Sequence, residues 1–212
     1  MKINESGRSM IEMLGVLAII GVLSVGGIAG YSKAMSKYRV NKTIDQVSHI
    51  AANTRILFSS QKNYSKISED VIISAKLFPQ EMVTSTTSGD TTTHTFNNPF
   101  AGTVTMTPAT RFSGTDNKAF VVKYEGIPQE ACIDIATIDW GTGSGGGLVA
   151  LGVNKDITSK TAGCAGGATK ELETDTANNA AVVCGGEAAM SVTNAVTACS
   201  KPDGNILYFK FY

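Results

Sequence analysis

Residues 13–31, MLGVLAIIGVLSVGGIAGY, form an apolar run without a formal charge. Coiled as an α-helix at ~1.5 Å per residue, the run spans about 28 Å, close to the ~30 Å hydrocarbon core of a bilayer. Past Tyr31 the hydrophobic period changes but nothing breaks the helix, because residues 31–60 contain no Pro or Gly. Ile44, Val47, Ile50 or Ala51, Thr54 and Leu57 or Phe58 recur at steps of three and four, the stripe of an amphipathic helix. The pattern predicts one helix from about Arg8 to Phe58, roughly 75 Å long. Its first half suits a membrane and its second half suits the flank of a globular domain. Gly26, Gly27 and Gly30 fall inside the apolar half, and Gly26 with Gly30 makes the G-x-x-x-G spacing that lets helices approach closely.

Residues 61–212 read as an α+β domain. Helices are expected at 68–77, at 129–138 just after Pro128, and at 187–197. Strands are expected at 103–107, 119–124, 148–153 and 206–212, the last being the aromatic and β-branched ILYFKFY. The tract TSTTSGDTTTHT, 84–95, offers little core material and reads as a polar loop or edge. GTGSGGG, 141–147, lacks the G-K-[ST] ending and the following helix of a phosphate loop, so it reads as a turn.

Charge narrows the function. The chain has 212 residues, with 18 Lys plus Arg against 18 Asp plus Glu, so it lacks the basic excess that would make nucleic acid its main partner. Only 17% of residues are charged, which suits a protein that assembles. The four cysteines, Cys132, Cys164, Cys184 and Cys199, include no C-x-x-C pair, and His49 and His94 lie far from them. That spacing argues against a zinc site and for two disulfides formed in an oxidising compartment. No paired-carboxylate, Ser-His-Asp or Cys-His pattern marks an active site. His49 falls on the surface of the amphipathic helix and His94 in the threonine-rich tract.

The N-terminus admits three readings. A cleaved signal peptide has a shorter apolar core with a basic flank, whereas here Glu5 and Glu12 dilute the flank. A plain signal anchor accepts the length. Both leave Glu12 unexplained, since a carboxylate inside a bilayer costs ~2.5–3.5 kcal/mol on insertion scales and calls for a partner.

The order Gly7, Arg8, Ser9, Met10, Ile11, Glu12 supplies the third reading, because it resembles the processing site of type IV prepilins. The resemblance implies a leader MKINESG (1–7), cleavage by prepilin peptidase after Gly7, methylation of the new amine on Arg8, and Glu12 as the fifth mature residue. Glu12 of one subunit would then face the amine of another. Arg8 departs from the apolar first residue usual in the family, and its side chain can snorkel to the headgroups. Lys33, Lys37, Arg39 and Lys42, just beyond the apolar run, oppose the positive-inside bias if the leader is cytoplasmic, and would meet headgroups electrostatically.

The likeness continues in NTRILFSSQKNYSKISEDVIISAKLFPQEMV (53–83), FNNPFAGTVTMTPA (96–109), AFVVKYEGIPQEACIDIAT (119–137) and GNILYFKFY (204–212). These segments are similar to type IVb pilins, the toxin-coregulated and thin-pilus group, although the leader is shorter than theirs and residues 140–190 match little. The resemblance implies a pilin fold: a long helix 8–60 (8–31 transmembrane or filament core, 32–60 amphipathic) on an antiparallel sheet, with a globular domain 61–212 and a disulfide-bonded C-terminal region. It also implies the pairs Cys132–Cys199 and Cys164–Cys184. The implied function is a non-enzymatic structural subunit without cofactor or metal. It would be held in the bacterial inner membrane as a single-pass protein with a periplasmic domain, then assembled by pilus machinery into an extracellular homo-oligomeric helical filament. Receptor specificity would sit in loops 84–95 and 140–190. The alternatives are a pseudopilin or minor pilin, and a membrane-anchored periplasmic enzyme or binding domain.

Overall fold

The computed structural model describes residues 8–89, 91–112, 114–140, 147–158, 171–175, 180–184 and 189–212. Helix α1 runs Arg8–Phe58, as the hydrophobic pattern predicts. Two compact units divide within it, Met1–Arg39 and Val40–Tyr212. Val40 is the first residue of α1 to be buried. From there Thr43, Val47, Ile50, Ala51, Thr54 and Phe58 line the inner face. The expected stripe resolves to Phe58, while Leu57 stays exposed. The helix stops where Ser59 Oγ donates to the Ile56 carbonyl at 2.8 Å, satisfying one of its last orphan acceptors.

Helix α2, Glu69–Ser74, is shorter than its sequence pattern. Ser68 caps its start by accepting from the Val71 amide, and the chain turns out of the helix at Lys76, whose φ is 51°. A 3-10 turn, Gln80–Met82, leads to strands β1 (Val83–Ser88) and β2 (Thr91–Phe96). The tract expected as a loop or edge is therefore a regular antiparallel hairpin, because threonine's branched Cβ favours extended backbone even without an apolar face. His94 sits on β2 rather than in a loop.

The remaining elements are β3 (Val104–Ala109), β4 (Ala119–Ile127), α3 (Gln129–Ala136), β5 (Leu148–Val153), β6 (Glu171–Asp175), β7 (Ala180–Cys184), α4 (Val192–Ala198) and β8 (Asn205–Phe211). Helix α3 ends before residue 138, where the Thr137 hydroxyl turns back onto the Ile133 and Asp134 carbonyls. Helix α4 begins at Val192 rather than 187, because Ser191 caps it by accepting from the Asn194 amide. Strands β6 and β7 were not expected. Residues 141–146 of the glycine-rich turn lie outside the described residues.

Among the described residues the strands form the hairpin β1–β2 and a six-stranded antiparallel sheet in the order β3-β4-β8-β5-β7-β6. C-terminal β8 sits at its centre, pairing Val122 with Phe209 and Tyr124 with Leu207 on β4, and Gly152 with Tyr208 on β5. One face carries Phe120, Val122, Tyr124, Leu151, Leu207 and Phe209, packed in one core with Val47 and Ile50 of α1 and with Ile135 of α3. The other face, with Val121, Ala150 and Val182, packs against Ile157. Asn98 fixes the turn before β3: its Oδ1 accepts from the Phe100 and Gly102 amides at 2.8 and 3.1 Å, and its Nδ2 donates to the Glu125 carbonyl at 2.7 Å. A Cβ on Gly102 would fall on that same carbonyl.

Candidate assembly surface

Every residue from 10 to 34 is exposed, on all sides of α1. Met10, Ile11, Leu14, Leu17, Val22 and Leu23 each show more than 60% of their surface. The apolar window has a mean hydropathy of 2.2 and buries nothing against its own chain. A helix that is hydrophobic all round must be surrounded, by lipid or by other helices. The glycines agree. A Cβ at Gly15, Gly21, Gly26, Gly27 or Gly30 would meet nothing within 4 Å, so no contact in this chain requires their small size. Close approach of another helix would.

Glu12 stands within this surface, exposed between Ile11 and Met13. It lies beyond the first turn of α1, where the helix macrodipole fades, so the helix itself gives its charge little help. Arg8 opens the helix, and Gly7 lies outside the described residues.

In the second unit the chemistry is structural. Cys132 of α3 and Cys199 at the end of α4 form a disulfide with Cα atoms 5.8 Å apart, both fully buried. Cys184, on β7, is also disulfide-bonded, and Cys164 lies outside the described residues. Among the described residues no group of His, Cys, Asp and Glu is placed to hold a metal. His49 is exposed on α1, and His94 Nδ1 lies 2.8 Å from Ser85 Oγ across the hairpin.

Three polar arrangements escaped sequence reasoning because each involves a contact between distant segments. Lys42 Nζ pairs with Glu81 Oε2 at 3.0 Å, and Gln46 Nε2 donates to Glu81 Oε1 at 3.3 Å. Chiefly the Lys42 hydrogen bond holds the Glu81 carboxyl below its ordinary range. Lys123 and Glu125 pair at 2.8 Å on β4, and the Lys123 bond, then the Thr103 hydroxyl, lowers Glu125 in the same way. Lys210, inside ILYFKFY, is fully buried and donates from Nζ to the Ile157 carbonyl at 2.7 Å. Burial pushes its pKa down to about 8.

Comparison with known proteins places these features. The family model described as PilS N terminal matches residues 37–210. The major structural subunit of bundle-forming pilus from Escherichia coli O111:H- is 26% identical over 157 residues, covering 73% of this chain and 76% of that protein. The subunit of the same name from Escherichia coli O127:H6 (strain E2348/69 / EPEC) is similar to the same extent. The crystal structure of a type IV b pilin from Salmonella typhi shares the fold with a TM-score of 0.50 at 18% identity, over 78% of this chain and 95% of that one.

Proposed function

The chain belongs to the PilS N-terminal family, and from that premise we propose that it is a type IVb pilin, the structural subunit of a pilus filament. Prepilin peptidase cuts after Gly7, and the amine of Arg8, with or without a methyl group, becomes the mature N-terminus. Before assembly the apolar half of α1 spans the inner membrane with the second unit in the periplasm. Assembly machinery then moves that half into a filament core outside the cell, where copies of α1 pack around one another. The driving force is helix packing, helped by the glycines that permit close contact.

The observation that carries this reading is Glu12, one carboxylate on a helix otherwise exposed and apolar on every side from 10 to 31. Its charge is tolerated in the core once the amine of a neighbouring subunit pairs with it. Removing one partner of a buried pair costs ~3–5 kcal/mol, which makes Glu12 a register key for docking. The test is filament yield. Glu12→Ala should leave processed protein in the membrane and remove it from sheared filaments. Wild-type filament yield in that variant would overturn the role given to Glu12.

A further inference from the structure

Among the described residues the hairpin has one guarded edge and one open edge. Met82 and Asn97 share a backbone hydrogen bond of 2.8 Å, so by the antiparallel alternation Thr84↔Thr95 and Thr86↔Thr93 carry the ladder. Val83, Ser85 and Thr87 therefore turn their backbone groups away from β2. On the other strand the same rule turns His94 outward, and there its amide donates to Glu69 Oε1 at 3.2 Å, so a carboxylate covers the β2 edge.

The outer strands of the large sheet are also blocked against pairing. β3 contains Pro108, and β6 carries Glu171, Glu173 and Asp175 in its sequence. β1 has none of these devices: VTSTTS holds no charge and no proline, and its register runs without a bulge. Among the described strands it is the edge left open.

We infer that the β1 edge docks the β1 edge of a second copy, antiparallel and centred on Ser85, and that the contact joins two filaments side by side. The backbone groups match. Ser85 would exchange two hydrogen bonds with its symmetry mate. Each Thr87 amide would donate to the Val83 carbonyl opposite, which is free to accept while the Val83 amide already donates to the Gln80 carbonyl. Four bonds form, and the outward amides of Ser85 and Thr87 on each strand are both used, the third, of Val83, being already bonded to Gln80. Because β1 is uncharged, the two-fold sets no like charges against each other.

The symmetry decides the place, and here the inference rests on the filament reading. Subunits of one polar helical filament are related by rotation and translation along its axis, whereas this isologous contact needs a two-fold axis. It therefore falls between antiparallel filaments. One such contact is weak, but the filament repeats it at regular intervals and gains by multivalency.

The test uses full-length Ser85→Pro and Thr87→Lys in producing cells. Proline at 85 removes an outward amide without touching the ladder to β2, and lysine at 87 adds the missing edge charge. Wild-type sheared filaments should associate laterally and pellet at low speed. Both variants should yield the same amount of filament, dispersed in electron micrographs, with the low-speed pellet lost. Unchanged association in both variants, dispersed wild-type filaments, or loss of filaments in both variants would each overturn the contact. Absence of wild-type filaments would instead refute the pilin reading. The contact would then be read by sedimentation of the full chain in detergent: a dimer lost in Ser85→Pro supports it, and a monomeric wild type overturns it.

Discussion

Lys42 Nζ lies 3.0 Å from Glu81 Oε2, fastening the second half of α1 to the 3-10 turn that introduces the hairpin. The folded Glu81 pKa is depressed below its ordinary 4.5. The pair therefore stabilises above the unfolded pKa and is lost as pH falls through the folded one. Both side chains are partly exposed, so solvent limits the effect to about 0.5 kcal/mol. Glu81→Gln should lower thermal stability of the full chain in detergent slightly at pH 7, and the difference should shrink as pH falls through the carboxylate range.

Lys210 behaves oppositely. Burial lowers its folded pKa from 10.5 to about 8, with Asp156 and Asp116 acting weakly against that shift. Between these values the unfolded chain binds more protons, so stability should rise as pH climbs from about 8. The clean window closes near the ordinary tyrosine value of 10, where Tyr124, raised by burial, begins to oppose the rise. Denaturation of Lys210→Met across that window should show a flat profile where the wild type slopes upward.

The Cys132–Cys199 bond closes a long loop, with the two residues 67 apart in sequence. Chain entropy assigns such a loop about 4.4 kcal/mol. The double variant Cys132→Ala, Cys199→Ala should lose stability on that scale and become protease-sensitive. A loss under about 1 kcal/mol in chemical denaturation would contradict the entropic account.

Asn98 organises the entry to β3 through three hydrogen bonds to backbone. Asn98→Ala leaves a carbonyl and two amides unpaired in a half-buried turn, an expected loss of ~2–3 kcal/mol. Gly102→Ala should be at least as damaging, because the Glu125 backbone must move to admit the methyl group. Parallel melting curves check both.

Much of this architecture is legible in the sequence where the signal is local. The apolar run and its switch to an amphipathic stripe define α1 over its whole length. Pro128 fixes the φ that starts α3, and ILYFKFY reads as a strand from composition alone. Strands β6 and β7 stayed hidden because ELETD has no apolar face and AAVVC is a short run of small residues without a period. β7 becomes a strand by pairing with the distant β5, and β6 by pairing in turn with β7. The threonine tract, expected as a polar loop or edge, is the edge, but its strands are not marked by hydrophobic alternation; branched Cβ atoms carry the conformation instead. The burial of Lys210 is not readable from ILYFKFY, because it follows from β8 lying at the centre of the sheet with Ile157 over it. Of the assembly surface, Glu12 and the glycines could be named from sequence, whereas the open β1 edge appears only once the ladder's register is known.

Whether α1 is a processed filament core is decided by the intact mass and N-terminal sequence of the protein purified from membranes and from sheared filaments. A chain beginning at Arg8, with or without one added methyl group, is the expected result, and the same species should make up the filament. A chain beginning at Met1 would mean a plain signal anchor, and one beginning near residue 30 a secreted domain. Either would contradict the account of α1 as a processed filament core.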